Sequence, residues 1–335
     1  MKVAILAPIA WRTPPRKYGP WEQVASNIAE GLVAEGIDVT LFATGDSITK
    51  GSLEYACNRP YAEDPELDPK VCECLHISHL IEQAGKFDLI HNNFDFLPLT
   101  YSRIIKTAMV TTIHGFSSSN ILPVYKKYND SSFYVSISDS DRNPELDYIA
   151  TVYNGINADD FTFNNNPKKY LLFFGRIHPE KGTYESILIA KKAGIKLIIS
   201  GLIQDQDYFD SRIKPYIDNK TIVYAGNSGP KERDRLLGNA HALLHPVSFD
   251  EPFGLSVAEA MFCGTPVIAI NRGSMPELVR EGETGYLVNN IEEAVGAVNK
   301  IPSIKRTACR QWVESKFTRE KMVEGYLDVY NKILS

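Results

Sequence analysis

Short apolar runs alternate with helix-length amphipathic segments along almost the whole chain, and the pattern starts afresh near its middle. Val3 to Pro8 is a continuous apolar run, as expected of a strand buried on both faces. Val24, Ile28 and Leu32 then recur at helical spacing, with Gly36 placed for a C′ residue, and Val39 to Ala43 reads as the next strand. Strand–helix–strand is the unit from which parallel sheets are built. Further strands are expected at Leu89 to His91, Met109 to His114 and Tyr134 to Ser138. Asn154 to Lys169 is rich in Asn and Asp, contains Pro167 and has little apolar periodicity, so it reads as a linker. A second series follows: a strand at Tyr170 to Phe174, a loop to Gly182, and a helix from Thr183 to Ala193 ending at Gly194. Strands are then expected at Lys196 to Ser200, Ile222 to Ala225, Ala242 to His245 and Val267 to Ile270. Met322, Tyr326, Val329 and Ile333 form one stripe of a last helix.

The fold expected is therefore α/β, with two Rossmann-like, doubly wound domains facing an interdomain cleft, and 335 residues suit two domains. The divisions expected are residues 1–154 for the first domain, 155–169 for the linker, 170–312 for the second domain, and 313–335 for a helix crossing back to the first.

Lys plus Arg number 36 against 41 Asp plus Glu, a formal charge of −5, and this mild acidity argues against a nucleic-acid partner. The cysteines are Cys57, Cys72, Cys74, Cys263 and Cys309, an odd and sparse set that fits a reducing compartment rather than a disulfide framework. Cys72 and Cys74 have no second pair to complete a zinc site, so no metal is expected. No run approaches the roughly 18 apolar residues of a membrane span. The opening MKVAILAPIA is too short an apolar run for a secretory signal. A cytoplasmic protein without a transmembrane segment is the expectation.

Three segments carry candidate chemistry. In Asp250 to Thr265 (DEPFGLSVAEAMFCGT), Glu259 sits in the middle of an apolar helical stretch, where a carboxylate needs hydrogen-bonding partners. Ligand hydroxyls or a partner within the core would both serve. Glu251 stands on the loop entering that helix, and Gly254 permits close approach to the backbone. In Gly175 to Gly182 (GRIHPEKG), Arg176 and Lys181 lie between a strand and a helix, where two cations suit a phosphate or diphosphate, or are simply solvated. In the first loop, Gly19 could bring an amide against a phosphate, and Tyr18 and Trp21 could wall an acceptor or pack in the core. The Gly-x-Gly-x-x-Gly pattern of a dinucleotide site is absent there, which leaves Asp46 without a role. His91 and His114 end strand candidates, where an open parallel sheet meets its ligands, although a structural histidine is the commoner case.

Taken in order, these segments resemble the retaining nucleotide-sugar glycosyltransferases of family 4, which have the GT-B fold. The resemblance is carried by the Gly19 loop, His114-Gly115, Asn154-Gly155-Ile156-Asn157, Gly175-Arg176 with Lys181-Gly182, Glu251-Pro252-Phe253-Gly254 through Glu259, and Gly273-Ser274-Met275-Pro276-Glu277. It implies that Arg176 and Lys181 hold the donor diphosphate, with an amide from Gly19. It implies that Glu251 accepts from donor-sugar hydroxyls, that the backbone of Phe253, Gly254 and Leu255 lines that sugar, and that Glu259 binds the ribose. His114 would contact the sugar near its reacting end. His114, Arg176, Lys181 and Glu251 are thus the catalytic candidates. The implied substrates are a UDP- or GDP-linked hexose and a saccharide or glycoconjugate acceptor, with neither metal nor cofactor. Many members carry two glycines in the first loop, whereas this chain has Tyr18 and Pro20 around Gly19. A nucleotide-sugar epimerase of the same fold and a non-catalytic sugar-nucleotide-binding protein are the alternatives.

Overall fold

The computed structural model describes residues 1–116 and 119–335. The chain divides into two compact units, one of Met1–Gly155 with Arg319–Ser335 and the other of Ile156–Thr318.

The first unit is built on a seven-stranded parallel sheet in the order β3-β2-β1-β4-β5-β6-β7. Its strands are β1 (Lys2–Leu6), β2 (Asp38–Phe42), β3 (Ser52–Glu54), β4 (Leu89–Asn92), β5 (Ala108–Ile113), β6 (Phe133–Ser136) and β7 (Tyr148–Thr151). The second unit carries a six-stranded parallel sheet in the order β10-β9-β8-β11-β12-β13. These strands are β8 (Leu171–Phe174), β9 (Leu197–Ser200), β10 (Ile222–Tyr224), β11 (Ala242–His245), β12 (Val267–Ile270) and β13 (Gly285–Val288). In both sheets the chain winds outward and then returns to the other side of its first strand. The order therefore reverses between β1 and β4, paired Val3 to Leu89, and between β8 and β11, paired Leu171 to Ala242. Such reversals open crevices at the carboxyl ends of the strands, where ligands of this fold class bind. The loops after β1, β8 and β11 carry Gly19, Lys181 and Glu251.

Ten strands stand where the apolar runs put them, within a residue or two. The three unexpected ones, β3, β7 and β13, all lie at sheet edges. An edge strand is covered on fewer sides and does not need a continuous apolar run: the β7 residues Tyr148 to Thr151 are all half-buried.

The expected linker is corrected. Residues 156–169 belong to the second unit. Phe161 is buried against Phe262, with ring centroids 6.5 Å apart, and the Asn164 amide donates to the Cys263 carbonyl at 3.1 Å. The Arg306 guanidinium ties the same segment down through Asn164 O at 2.5 Å, reaching also Ala240 O at 3.0 Å, Gly238 O at 2.8 Å and Thr265 Oγ1 at 2.6 Å. The polar composition that reads as a linker is that of a segment held by its backbone groups.

The end of the chain is two helices rather than one. Arg306–Lys316 lies in the second unit and Arg319–Leu334 in the first. Phe317, at the break, is buried with its ring edge-on to Phe253 at 5.7 Å. Tyr326 and Tyr330 of the last helix are fully buried, their hydroxyls 2.8 Å from Thr112 Oγ1 and 2.7 Å from His91 Nδ1. His91 also meets Thr112 through Nε2 at 2.7 Å. Both ring nitrogens are satisfied inside the core and burial pushes the imidazole down to about 3, so His91 is a neutral structural residue.

Candidate functional site

The second unit brings two of the sequence candidates into direct contact. Lys181 Nζ lies 2.5 Å from Glu251 Oε2, although 70 residues separate them. The reason is backbone packing. Gly182 has φ 76°, and a Cβ there would overlap the carbonyl oxygen of Pro246, so only glycine lets the loop after β8 lie flat on the loop after β11. The Lys181 ammonium also stands 4.5 Å above the ring of Phe249. The Gly273–Glu277 segment closes the other side: the Ser274 amide donates to Glu251 O at 3.0 Å and the Ser274 hydroxyl to Phe253 O at 2.7 Å. Gly254 then caps the helix Leu255–Phe262 from a left-handed conformation, and Phe253 is buried beneath it.

Burial alone would raise the Glu251 carboxyl, but the Lys181 ammonium and His245 override it and hold the group at about 2. His245 ends β11, and its Nε2 lies 3.4 Å from Glu251 Oε2. It was not among the sequence candidates, although the strand-end rule applied to His91 and His114 reaches it equally.

Arg176 is committed to neighbours of its own. Its guanidinium donates to Gln204 Oε1 at 2.5 Å and to Glu180 Oε1 of its own loop. Glu259 is buried and lies 3.2 Å from Arg233 Nη1 of the helix Pro230–Asn239. Burial raises this carboxyl and Arg233 opposes the rise. Arg233 in turn stands over the Phe161 ring at 5.2 Å. The Lys231-Glu232-Arg233-Asp234-Arg235 run reads as a solvated helix face, which is why sequence reasoning missed Arg233.

In the first unit, Gly19 precedes the helix Pro20–Ala34 with φ 148°, and a Cβ there would fall 2.7 Å from Pro15 Cβ and 3.1 Å from Glu22 Oε2. Glu22 accepts from the Trp11 amide at 3.0 Å, and so ties the two ends of the first loop together. His114 is buried beside the loop, its ring stacked on Trp21 at 5.7 Å and its Nε2 3.1 Å from Asn93 Oδ1. Burial pushes His114 down to about 3, so it is a neutral imidazole at physiological pH. With Asn93 Oδ1 as acceptor the proton sits on Nε2. Nδ1 then has no partner among the described residues. Tyr18 meets Trp11 edge-on at 6.0 Å, and Asp46 is accounted for as a partner of Arg16 at 2.8 Å.

Glu22 gives a test of this loop. Burial pushes its carboxyl up to about 7 from 4.5. The folded protein thus keeps a proton that the unfolded chain has lost. Stability is expected to fall as pH rises from 4.5 through 7, by roughly 3 kcal/mol in all at 1.36 kcal/mol per unit. Glu22→Gln is expected to flatten that part of a stability-against-pH curve measured by urea unfolding. An unchanged slope would show that Glu22 is ionised in the fold.

Among the described residues, no group of three or more His, Cys, Asp or Glu side chains could hold a metal ion, and no helix is long and apolar enough to cross a membrane.

Two parallel doubly wound sheets in tandem are the architecture of the GT-B fold, and the Lys181–Glu251 pair stands at the switch point of the second. Residues 157–317, the second unit but for its first and last residue, match the family model described as Glycosyl transferases group 1, and this unit belongs to that family. Among curated relatives, an uncharacterised 41.2 kDa protein in the cps region of Klebsiella pneumoniae is 33% identical over 48% of this chain and 45% of its own length. A glycogen synthase of Mycobacterium tuberculosis is 24% identical over 96% of this chain and 93% of that protein. The fold is shared with sucrose-phosphate synthase from Thermosynechococcus elongatus, at TM-score 0.80 and 19% identity over 99% of both chains. It is shared also with Anabaena HepE in complex with UDP and glucose, at TM-score 0.76 and 20% identity over 99% of both chains.

Proposed function

We propose that the chain is a retaining, family 4 glycosyltransferase that moves a hexose from a nucleoside-diphosphate sugar to a hydroxyl of a saccharide or glycoconjugate. The observation that carries this reading is the half-buried Lys181–Glu251 pair at 2.5 Å. It sets a cation suited to a diphosphate directly beside a carboxylate suited to sugar hydroxyls. Lys181 and Arg176 take the donor diphosphate, Glu251 accepts from the sugar, the Phe253, Gly254 and Leu255 backbone lines it, and Glu259 accepts from the ribose. In the first unit, Gly19 offers a backbone amide suited to a phosphate, and His114 an uncharged ring suited to a sugar.

In transfer, the bond from the anomeric carbon to the phosphate oxygen breaks and a bond to the acceptor oxygen forms. Negative charge grows on the leaving diphosphate, and fixed cations placed there lower the barrier. Glu251, ionised and held by Lys181, serves as a hydrogen-bond acceptor rather than an attacking group. Retention then follows from departure and attack on one face, with the leaving phosphate oxygen taking the acceptor proton. This division of labour asks for no divalent metal. The free thiols of all five cysteines support a cytoplasmic setting.

A donor panel tests the reading. Incubated without acceptor, the protein is expected to release UDP slowly from UDP-glucose, faster than GDP from GDP-mannose and unaffected by EDTA. The UDP- and glucose-bound relative supports that order. Conversion of the sugar without acceptor would mean an epimerase. Binding without any release or transfer, in the presence of candidate acceptors, would mean a binding protein.

A further inference from the structure

We propose that His245 is a positioning residue for Glu251, taking over its carboxylate when Lys181 turns to the donor diphosphate. The inference rests on the assignment of Lys181 and Glu251 above and adds a residue to it.

Lys181 and His245 approach the same oxygen, Glu251 Oε2, at 2.5 Å and 3.4 Å. The ammonium has the closer place. The carboxylate side chain is only 12% exposed. A charge this deep is costly to leave without a partner. Donor binding asks the Lys181 ammonium to serve the diphosphate, and that draws it from Glu251. His245 is the group left facing the oxygen. Its side chain is 8% exposed, and Nε2 is buried with no hydrogen-bond partner among the described residues. The ring stands on the last residue of β11, a central strand paired to both β8 and β12, and cannot move away with the loop. Pro246, the next residue, is the one on which Gly182 packs, so a single backbone contact places both rivals for Oε2. A proton on His245 Nε2 donated to Glu251 would hold one oxygen in place and leave the other for a sugar hydroxyl.

The test is a double-mutant cycle on the full chain, reading calorimetric affinity for UDP and GDP and for UDP-glucose and GDP-mannose. His245→Phe keeps the ring but removes the donor, and is expected to weaken binding of the preferred nucleotide sugar about tenfold, the scale of one hydrogen bond to a charged group. In a Glu251→Gln background the same change is expected to be nearly silent, because a neutral amide needs no counter-donor. His245→Gln is expected to recover most of the loss, which mere packing of the ring would not allow. Equal losses in both backgrounds, or no loss in the native one, would overturn the proposal while leaving the Lys181 assignment intact. Unchanged binding of every probe by Lys181→Met and Glu251→Gln would overturn that assignment and this proposal with it.

Discussion

Lys181→Met is expected to lower kcat/KM for the nucleotide-sugar donor by about 10²- to 10³-fold, the scale of removing one fixed donor to a developing negative charge. It is also expected to destabilise the second unit. Glu251 is desolvated, and the Lys181 ammonium with His245 holds it at about 2 against an ordinary 4.5. A depressed carboxyl contributes stability that is present above 4.5 and is lost as pH falls through about 2, roughly 3 kcal/mol for this group. Without the ammonium, burial has less to oppose it and the carboxyl rises. At neutral pH the variant therefore carries a buried charge with only His245 beside it, a change that costs on the order of 3–5 kcal/mol. Thermal unfolding is expected to shift down by about 10 °C. Glu251→Gln added to Lys181→Met is expected to restore the melting temperature but not turnover. That combination separates the two roles of the lysine. Full activity in Lys181→Met would remove the proposed diphosphate site.

The same pair shows where the sequence stops being legible. Each partner is visible alone: Lys181 as a cation between strand and helix, Glu251 as an acid at a helix entrance. Their pairing depends on Gly182 lying against Pro246, a tertiary contact that no local pattern encodes. Central strands such as β1, β8 and β11 are readable because burial on both faces demands an unbroken apolar run. The edge strands β3, β7 and β13 escape that demand and were missed. Glu22 escaped for another reason. An acid in the first turn of a helix is adequately explained by the helix dipole, and nothing local says that its carboxyl is buried under a loop. His245 was within reach, since it ends a recognised strand.

Arg306 accounts for the largest difference between expectation and fold, and its replacement is expected to have the largest purely structural effect. Asn164, Asn165 and Asn166 make residues 156–169 look unattached. What attaches them is a buried guanidinium whose hydrogen bonds run to the carbonyls of Asn164, Gly238 and Ala240 and to the Thr265 hydroxyl. Burial lowers this group to about 10, still well above neutrality, so it stays charged and its planar fork is compensated by carbonyl dipoles. Arg306→Met keeps the apolar stem but takes the guanidinium donor from all of these acceptors, of which Gly238 O keeps its bond from Asn164 Nδ2 at 3.0 Å, and is expected to cost about 4 kcal/mol. For a unit of this size that lowers the melting temperature by about 10 °C. Arg306→Lys keeps the charge but cannot span the same acceptors, and is expected to recover less than half of the loss. Amide exchange distinguishes this effect from a general loosening. Protection should fall first at the Thr162 and Asn164 amides, which are bonded to Asp234 Oδ1 and Cys263 O. If those amides stay protected while the whole unit melts lower, Arg306 supports the core rather than the segment, and the boundary at Ile156 rests on Phe161 instead.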